Sequence, residues 1–207
     1  EDVNRAWIKS VLFSLGTAFG GLHAIAADAP TAADKGATAI FAGGCFWCTE
    51  SDFEKVPGVI AAESGYTGGK KTNPTYEEVS AGGTGHTEAV RVTYDPARVN
   101  YAQLVEYFWH TIDPTVRNRQ FCDVGSQYRS AIFWQTEEER TIAERSRDAL
   151  LASGRFKEIQ TEIVKAGTFY PAEAYHQDYY KKNPLRYSYY RHGCGRDDRL
   201  KELWGGK

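Results

Sequence analysis

The sequence predicts an α+β fold: a two-layer α/β sandwich with a ferredoxin-like core and a long irregular C-terminal tail. Three observations carry that expectation. From residue 37 onward, short apolar runs alternate with helical segments that open on capping residues. Between Thr87 and Tyr94 the chain alternates, with Glu88, Val90, Val92 and Tyr94 on one face and Thr87, Ala89, Arg91 and Thr93 on the other. The connections are short, so the sheet is covered on one face rather than doubly wound.

The elements follow in order. Ala37–Phe41 is a buried strand stopped by Gly43-Gly44. Cys45 opens a helix whose apolar positions are Phe46, Trp47, Phe53 and Val56, ending before Pro57-Gly58. Val59–Tyr66 is a strand, and Thr75 with Glu78 forms a capping box for a short helix. Thr87–Tyr94 is the alternating strand, and Asn100 with Gln103 starts a helix closed by Asp113-Pro114. Ser130–Trp134 is a strand, Thr136 with Glu139 caps a charged helix running to Gly154, and Thr161–Lys165 is a strand. A helix is expected over Ala172–Lys182, stopped by Asn183-Pro184, with no periodicity from Leu185 onward.

The amino end differs. Arg5 and Lys9 precede a small-residue apolar run, Val11–Ala26, that closes on Ala24-Ile25-Ala26. Residues 1–26 therefore read as a signal peptide, 27–36 as a linker and 37–207 as a single catalytic domain. The run is shorter than the ~20 residues that span a bilayer. An uncleaved anchor, or an extension interrupted by Gly16, Gly20 and Gly21, is the competing reading. With a working signal the protein is exported or periplasmic, without stable membrane insertion once the signal is removed; otherwise it is cytoplasmic.

Composition narrows the function. With 42% hydrophobic and 25% charged residues, the 207-residue chain is neither wholly disordered nor multispanning. A net charge of −2 argues against a nucleic-acid partner, and the basic-aromatic stretch Tyr179–Arg191 reads as a packed tail. Four cysteines are too few for a disulfide scaffold and enough for redox chemistry.

The order strand, two glycines, cysteine, helix puts Cys45 at a helix N-terminus, where unpaired N–H groups favour a thiolate. Glu88 shares the apolar face of its strand, so burial favours its protonated form and makes it a candidate acid. Cys45-Phe-Trp-Cys48 also suits a thioredoxin-like thiol–disulfide oxidoreductase, the alternative function. A zinc module is harder to assemble, because the other cysteines are isolated.

Gly43-Gly44-Cys45-Phe46-Trp47 resembles the A-type peptide methionine sulfoxide reductases. The resemblance continues through Ser64-Gly-Tyr-Thr-Gly-Gly69, Asn73-Pro-Thr-Tyr-Glu-Glu-Val79 and Gly85-His-Thr-Glu-Ala-Val90. Asp123-Val-Gly-Ser-Gln-Tyr-Arg-Ser-Ala131, Phe169-Tyr-Pro-Ala-Glu173 and Tyr175-His-Gln-Asp178 follow in the family's order. It implies that Cys45 attacks the sulfoxide sulfur and Glu88 protonates its oxygen. Tyr76 and Tyr128 would hydrogen-bond that oxygen, Asp123 would be a supporting carboxylate, and Phe46 and Trp47 would cage the S-methyl group. The implied reaction reduces the S epimer of protein-bound or free methionine sulfoxide and so repairs oxidised proteins. It needs no cofactor or metal, leaves a sulfenic acid on Cys45, and ends in an intramolecular disulfide reduced by thioredoxin. The enzyme is expected to act as a monomer.

The usual family position for a resolving cysteine, shortly after Asn183-Pro184, holds Ser188 here. Cys194 is the first candidate and Cys48 the second, with direct external reduction a third route. Cys122 reads as a buried structural bystander, and His86 and His176 as structural hydrogen-bonding groups.

Overall fold

After Gly36 the apolar run becomes β1 (Ala37–Gly43), followed by α1 (Phe46–Phe53), β2 (Val59–Thr67), α2 (Tyr76–Ala81), β3 (Thr87–Tyr94) and α3 (Tyr101–Trp109). Next come β4 (Arg119–Gln120), β5 (Asp123–Val124), a 3-10 turn (Ser126–Tyr128), β6 (Ser130–Trp134), α4 (Glu137–Ala152) and β7 (Glu162–Lys165). The chain ends with β8 (Tyr170–Pro171), α5 (Tyr179–Lys182), α6 (Pro184–Gly193) and α7 (Arg196–Trp204). This computed structural model describes residues 36–205, so the expected signal peptide and all of the linker except Gly36 lie outside the described residues. Among the described residues no helix is long and apolar enough to cross a membrane.

The main sheet has the order β7-β6-β1-β3-β2-β8, antiparallel throughout except for the parallel β6–β7 pair. Its inner strands β6-β1-β3-β2, with α1 and α3 as crossovers, are the expected ferredoxin-like core. Strand alternation splits the packing. Ala39, Phe41, Val90 and Val92 enter the large core under the helices, whereas Ile40, Ala42 and Ala89 join a thin cluster on the opposite face. Phe41 anchors the large core, with its ring 4.8 Å from Phe53 and 5.0 Å from Phe108.

The caps form as read. Thr75 and Asn100 complete their boxes with Glu78 and Gln103. Thr136 accepts from the Glu139 N–H, but the Glu139 carboxylate takes the Gln135 N–H instead of closing the box.

The C-terminal third departs from expectation. Of the helix expected over Ala172–Lys182, only α5 forms. Side-chain hydrogen bonds override helix propensity there. Gln177 bonds the Ser64 N–H and carbonyl as a substitute strand, and the Asp178 N–H donates to Glu50 at 2.9 Å. Asn183-Pro184 ends α5 as expected, and Pro184 also starts α6 at a position where no amide donor is required. The tail expected to be irregular is helical, in α6 and α7, and each buries a single residue, Tyr187 and Arg196.

Replacing Phe41 by Ala should lower unfolding free energy by about 3–5 kcal/mol, and Asn100→Ala by about 1 kcal/mol. Urea denaturation with an unchanged slope is the measurement; comparable losses from both variants would contradict this account of the core.

Candidate active site

The turn between β1 and α1 is built around Gly44, whose φ is +85°. A side chain there would be strained, and its Cβ would lie 2.5 Å from Gln120 Cβ. The turn delivers Cys45 to the N-cap of α1, with its carbonyl accepting from the Cys48 and Thr49 N–H groups at 3.1 and 3.2 Å. The first free helical N–H, that of Phe46, donates to Glu88 Oε2 at 2.9 Å. The buried end of β3 is thereby fastened to the cysteine's helix.

Cys45, Phe46, Trp47, Tyr76, Glu88, Asp123, Tyr128 and Tyr190 enclose a cavity of about 70 Å³. That is a little more than the liquid share of two waters, ~30 Å³ each, and suits a small polar head group. The structure brings together every residue expected to act on substrate. Tyr190 joins them without having been singled out, because it lies in a stretch with no hydrophobic periodicity.

No lining residue is basic. Burial pushes Glu88 up to about 8, with nearby Asp123 adding to the effect and the Phe46 N–H opposing it. Tyr76 rises to about 12 through burial and the Glu88 carboxyl, and burial raises Tyr128 as well. Burial first, then the neighbouring Cys48, Glu88 and Asp123, holds the Cys45 thiol well above the ordinary cysteine value, in the opposite direction to the thiolate expected from a helix N-terminus.

Cys48, one turn along α1, is also buried and free. The neighbouring Cys45 sulfur lowers Cys48, and the guanidiniums of Arg196 and Arg191 lower it further against its burial. Arg191 pairs with Asp52 at 2.8 Å, and Arg196 reaches the Gly43 and Thr111 carbonyls.

Trp47 is fixed twice. Its indole N–H donates to His176 Nδ1 at 2.9 Å, and its ring lies flat on Tyr179 at 3.7 Å. Accepting through Nδ1 puts the His176 proton on Nε2, which is buried without a partner among the described residues. Glu173 accepts from the Tyr76 N–H and the Tyr66 hydroxyl, seating α2 at the cavity's edge. His86 accepts from the Gly69 N–H and meets the Lys71 carbonyl, a loop brace away from the cavity.

Cys194 is bonded to Cys122, with the Cα atoms 4.9 Å apart across a separation of 72 residues, and Cys45 is free. Cys122 is therefore no buried bystander; it is exposed and disulfide-bonded. No local pattern links positions so far apart.

The family model for peptide methionine sulfoxide reductase matches residues 37–207. The chain is 52% identical over 196 residues to peptide methionine sulfoxide reductase MsrA 2 of Caulobacter vibrioides, covering 95% of this chain and 97% of that one. It is also 52% identical over 176 residues to the MsrA of Bacillus licheniformis, covering 84% and 97% of the two chains. Among solved structures, methionine sulfoxide reductase A of Corynebacterium diphtheriae superposes with a TM-score of 0.64 at 41% identity, over 72% of this chain and 75% of that one. Reduced Mxr1 of Saccharomyces cerevisiae gives 0.68 at 31% identity, over 72% and 87%.

Glu88 makes stability depend on pH with a defined sign. The folded protein holds this proton up to about 8, whereas the unfolded chain releases it near the ordinary 4.5. Stability from this group is therefore lost as pH rises through that window. Glu88→Gln should gain stability relative to the parent between those values and level off above them. Urea unfolding at a series of pH values checks this; a constant difference would mean Glu88 is charged when folded.

Proposed function

The chain belongs to the peptide methionine sulfoxide reductase family, and on that premise we propose that it reduces the S epimer of methionine sulfoxide, free or in oxidised proteins. The observation that carries this reading is a buried carboxylic acid and a thiol lining one small aromatic-walled cavity that holds no basic group. A sulfoxide is a poor electrophile until its oxygen is protonated or strongly hydrogen-bonded, so an acid placed beside the nucleophile is the minimum equipment.

In the proposed reaction the S-methyl group lies against Phe46 and Trp47, and the oxygen faces Glu88, Tyr76 and Tyr128. Cys45 attacks sulfur while Glu88 protonates oxygen, and the Cys45 proton restores the acid. The sum is a thiol and a sulfoxide giving a cysteine sulfenic acid and a thioether. Cys48 then attacks the Cys45 sulfur, forming a disulfide and releasing water. Support for Cys48 over Cys194 comes from its place one turn from Cys45 on the same helix and from the engagement of Cys194 with Cys122. A thioredoxin-like dithiol supplies two electrons and two protons to restore both thiols. Because cysteine sulfur carries the electrons, no metal or organic cofactor takes part.

Family membership displaces the thioredoxin-like alternative. Export through residues 1–26 remains part of the proposal, and a mature form beginning near Ala27 in a cell-surface or periplasmic fraction is its signature.

A single turnover with an S-epimer methionine sulfoxide ester tests the assignment. The parent should form stoichiometric methionine and Cys45→Ser none. Cys48→Ser should still form one equivalent and accumulate a dimedone-reactive sulfenic acid at Cys45. Glu88→Gln should slow the step roughly 10²-fold or more. Methionine formed by Cys45→Ser, or faster loss of the R epimer, would sink the reading.

A further inference from the structure

The Cys122–Cys194 disulfide joins two segments that each supply one wall of the Cys45 cavity. Cys122 directly precedes Asp123, which lines the cavity from β5. Cys194 caps α6, donating its N–H to the Tyr190 carbonyl at 2.9 Å, and Tyr190 is the lining residue that α6 supplies. The two walls meet where the Tyr190 hydroxyl donates to Asp123 Oδ2 at 2.5 Å, in the cavity that Cys45 also lines.

Neither wall has much apolar anchorage of its own. β4 and β5 form a ribbon of two residues per strand outside the main sheet, too short to persist without support. α6 buries only Tyr187. Polar contacts hold each wall: Gln120 exchanges two hydrogen bonds with Asp113, and Arg191 pairs with Asp52 and Asp197. Between the walls, the Arg196 guanidinium lies 4.5 Å over the Phe121 ring and the Tyr190 hydroxyl meets Asp123. The disulfide is the covalent tie between them.

We propose that the Cys122–Cys194 disulfide is a positioning clamp that holds Asp123 and Tyr190 together as one wall of the substrate cavity, and that its reduction loosens that wall. The inference rests on the sulfoxide-reductase reading of the cavity. Opening the clamp takes two electrons and two protons from a dithiol, which itself becomes a disulfide. Cys122 is exposed and reachable by such a reagent, whereas Cys45 and Cys48 are buried. In an oxidising compartment the clamp stays closed. A closed wall fixes the Tyr190 hydroxyl and Asp123 carboxyl before substrate arrives, so their orientation is not a cost of binding.

The test is single-turnover methionine formation against sulfoxide concentration, run well below each variant's unfolding transition. The parent is prepared with the peripheral disulfide intact, confirmed by alkylation and mass. It is compared with Cys122→Ser/Cys194→Ser, with Tyr190→Phe and with the triple variant. The double variant should need roughly tenfold more sulfoxide for half-saturation, with a smaller change in limiting rate. Adding Tyr190→Phe to it should cost little more, because both changes act on one wall. Unchanged half-saturation in the double variant overturns the clamp alone. So does a defect confined to repeated turnover with a dithiol, which would make the pair an electron relay. A parent that forms no methionine overturns the sulfoxide reading and this inference with it.

Discussion

The hydrogen bond from the Phe46 N–H to the Glu88 carboxyl sets the spacing on which the rest of the site is built. It ties the start of β3 to the first turn of α1, so acid and nucleophile are placed by two rigid elements rather than by loops. A helix N–H favours the ionised carboxylate, and here that pull is overcome. Glu88 is buried, Asp123 lies nearby and no cation lines the cavity, so the proton is retained. A lysine or arginine in the wall would bind a sulfoxide oxygen well, yet it would also drain the acid of its proton. The basic residues are instead placed around Cys48, at Arg191 and Arg196.

Much of this was legible in the sequence because the signals were local. The Asn100 and Thr75 boxes lie within one helical turn of their partners, and the alternation around Glu88 lies within one strand. Those signals place β3 and the starts of α2 and α3 to within a residue or two, although α3 ends at Trp109, short of Asp113-Pro114. The face of β3 points Glu88 into the core. The Cys45 motif added its own turn geometry, since Gly44 occupies a conformation that strains other residues.

What was not legible is held by contacts remote in sequence. α6 and α7 present no apolar face to be read; ion pairs fasten them instead. Arg191 bridges Asp52 and Asp197, while Arg196 reaches back to Gly43 and Thr111. The segment before α5 is shaped by Gln177 completing the edge of β2. Periodicity measures amphipathic burial, so an element stabilised by polar long-range bonds leaves no periodic trace. Tyr190 and the Cys122–Cys194 pair were missed for that reason.

The burial of Cys45 bears on how the site is understood. A resting thiolate would be open to any oxidant or electrophile small enough to enter. A buried thiol held above its ordinary value is comparatively inert, and it becomes nucleophilic only as its proton finds another seat. On the proposed mechanism that seat is made by the substrate itself. When the sulfoxide oxygen takes the Glu88 proton, the vacated carboxylate can accept the proton from Cys45. Cys48 experiences the opposite field, one turn away, where the Cys45 sulfur and two guanidiniums favour its anion. Attack on a sulfoxide benefits from an available proton, whereas attack on a sulfenic acid benefits from an available thiolate. Adjacent turns of a single helix thus provide the two environments that the successive proposed steps require.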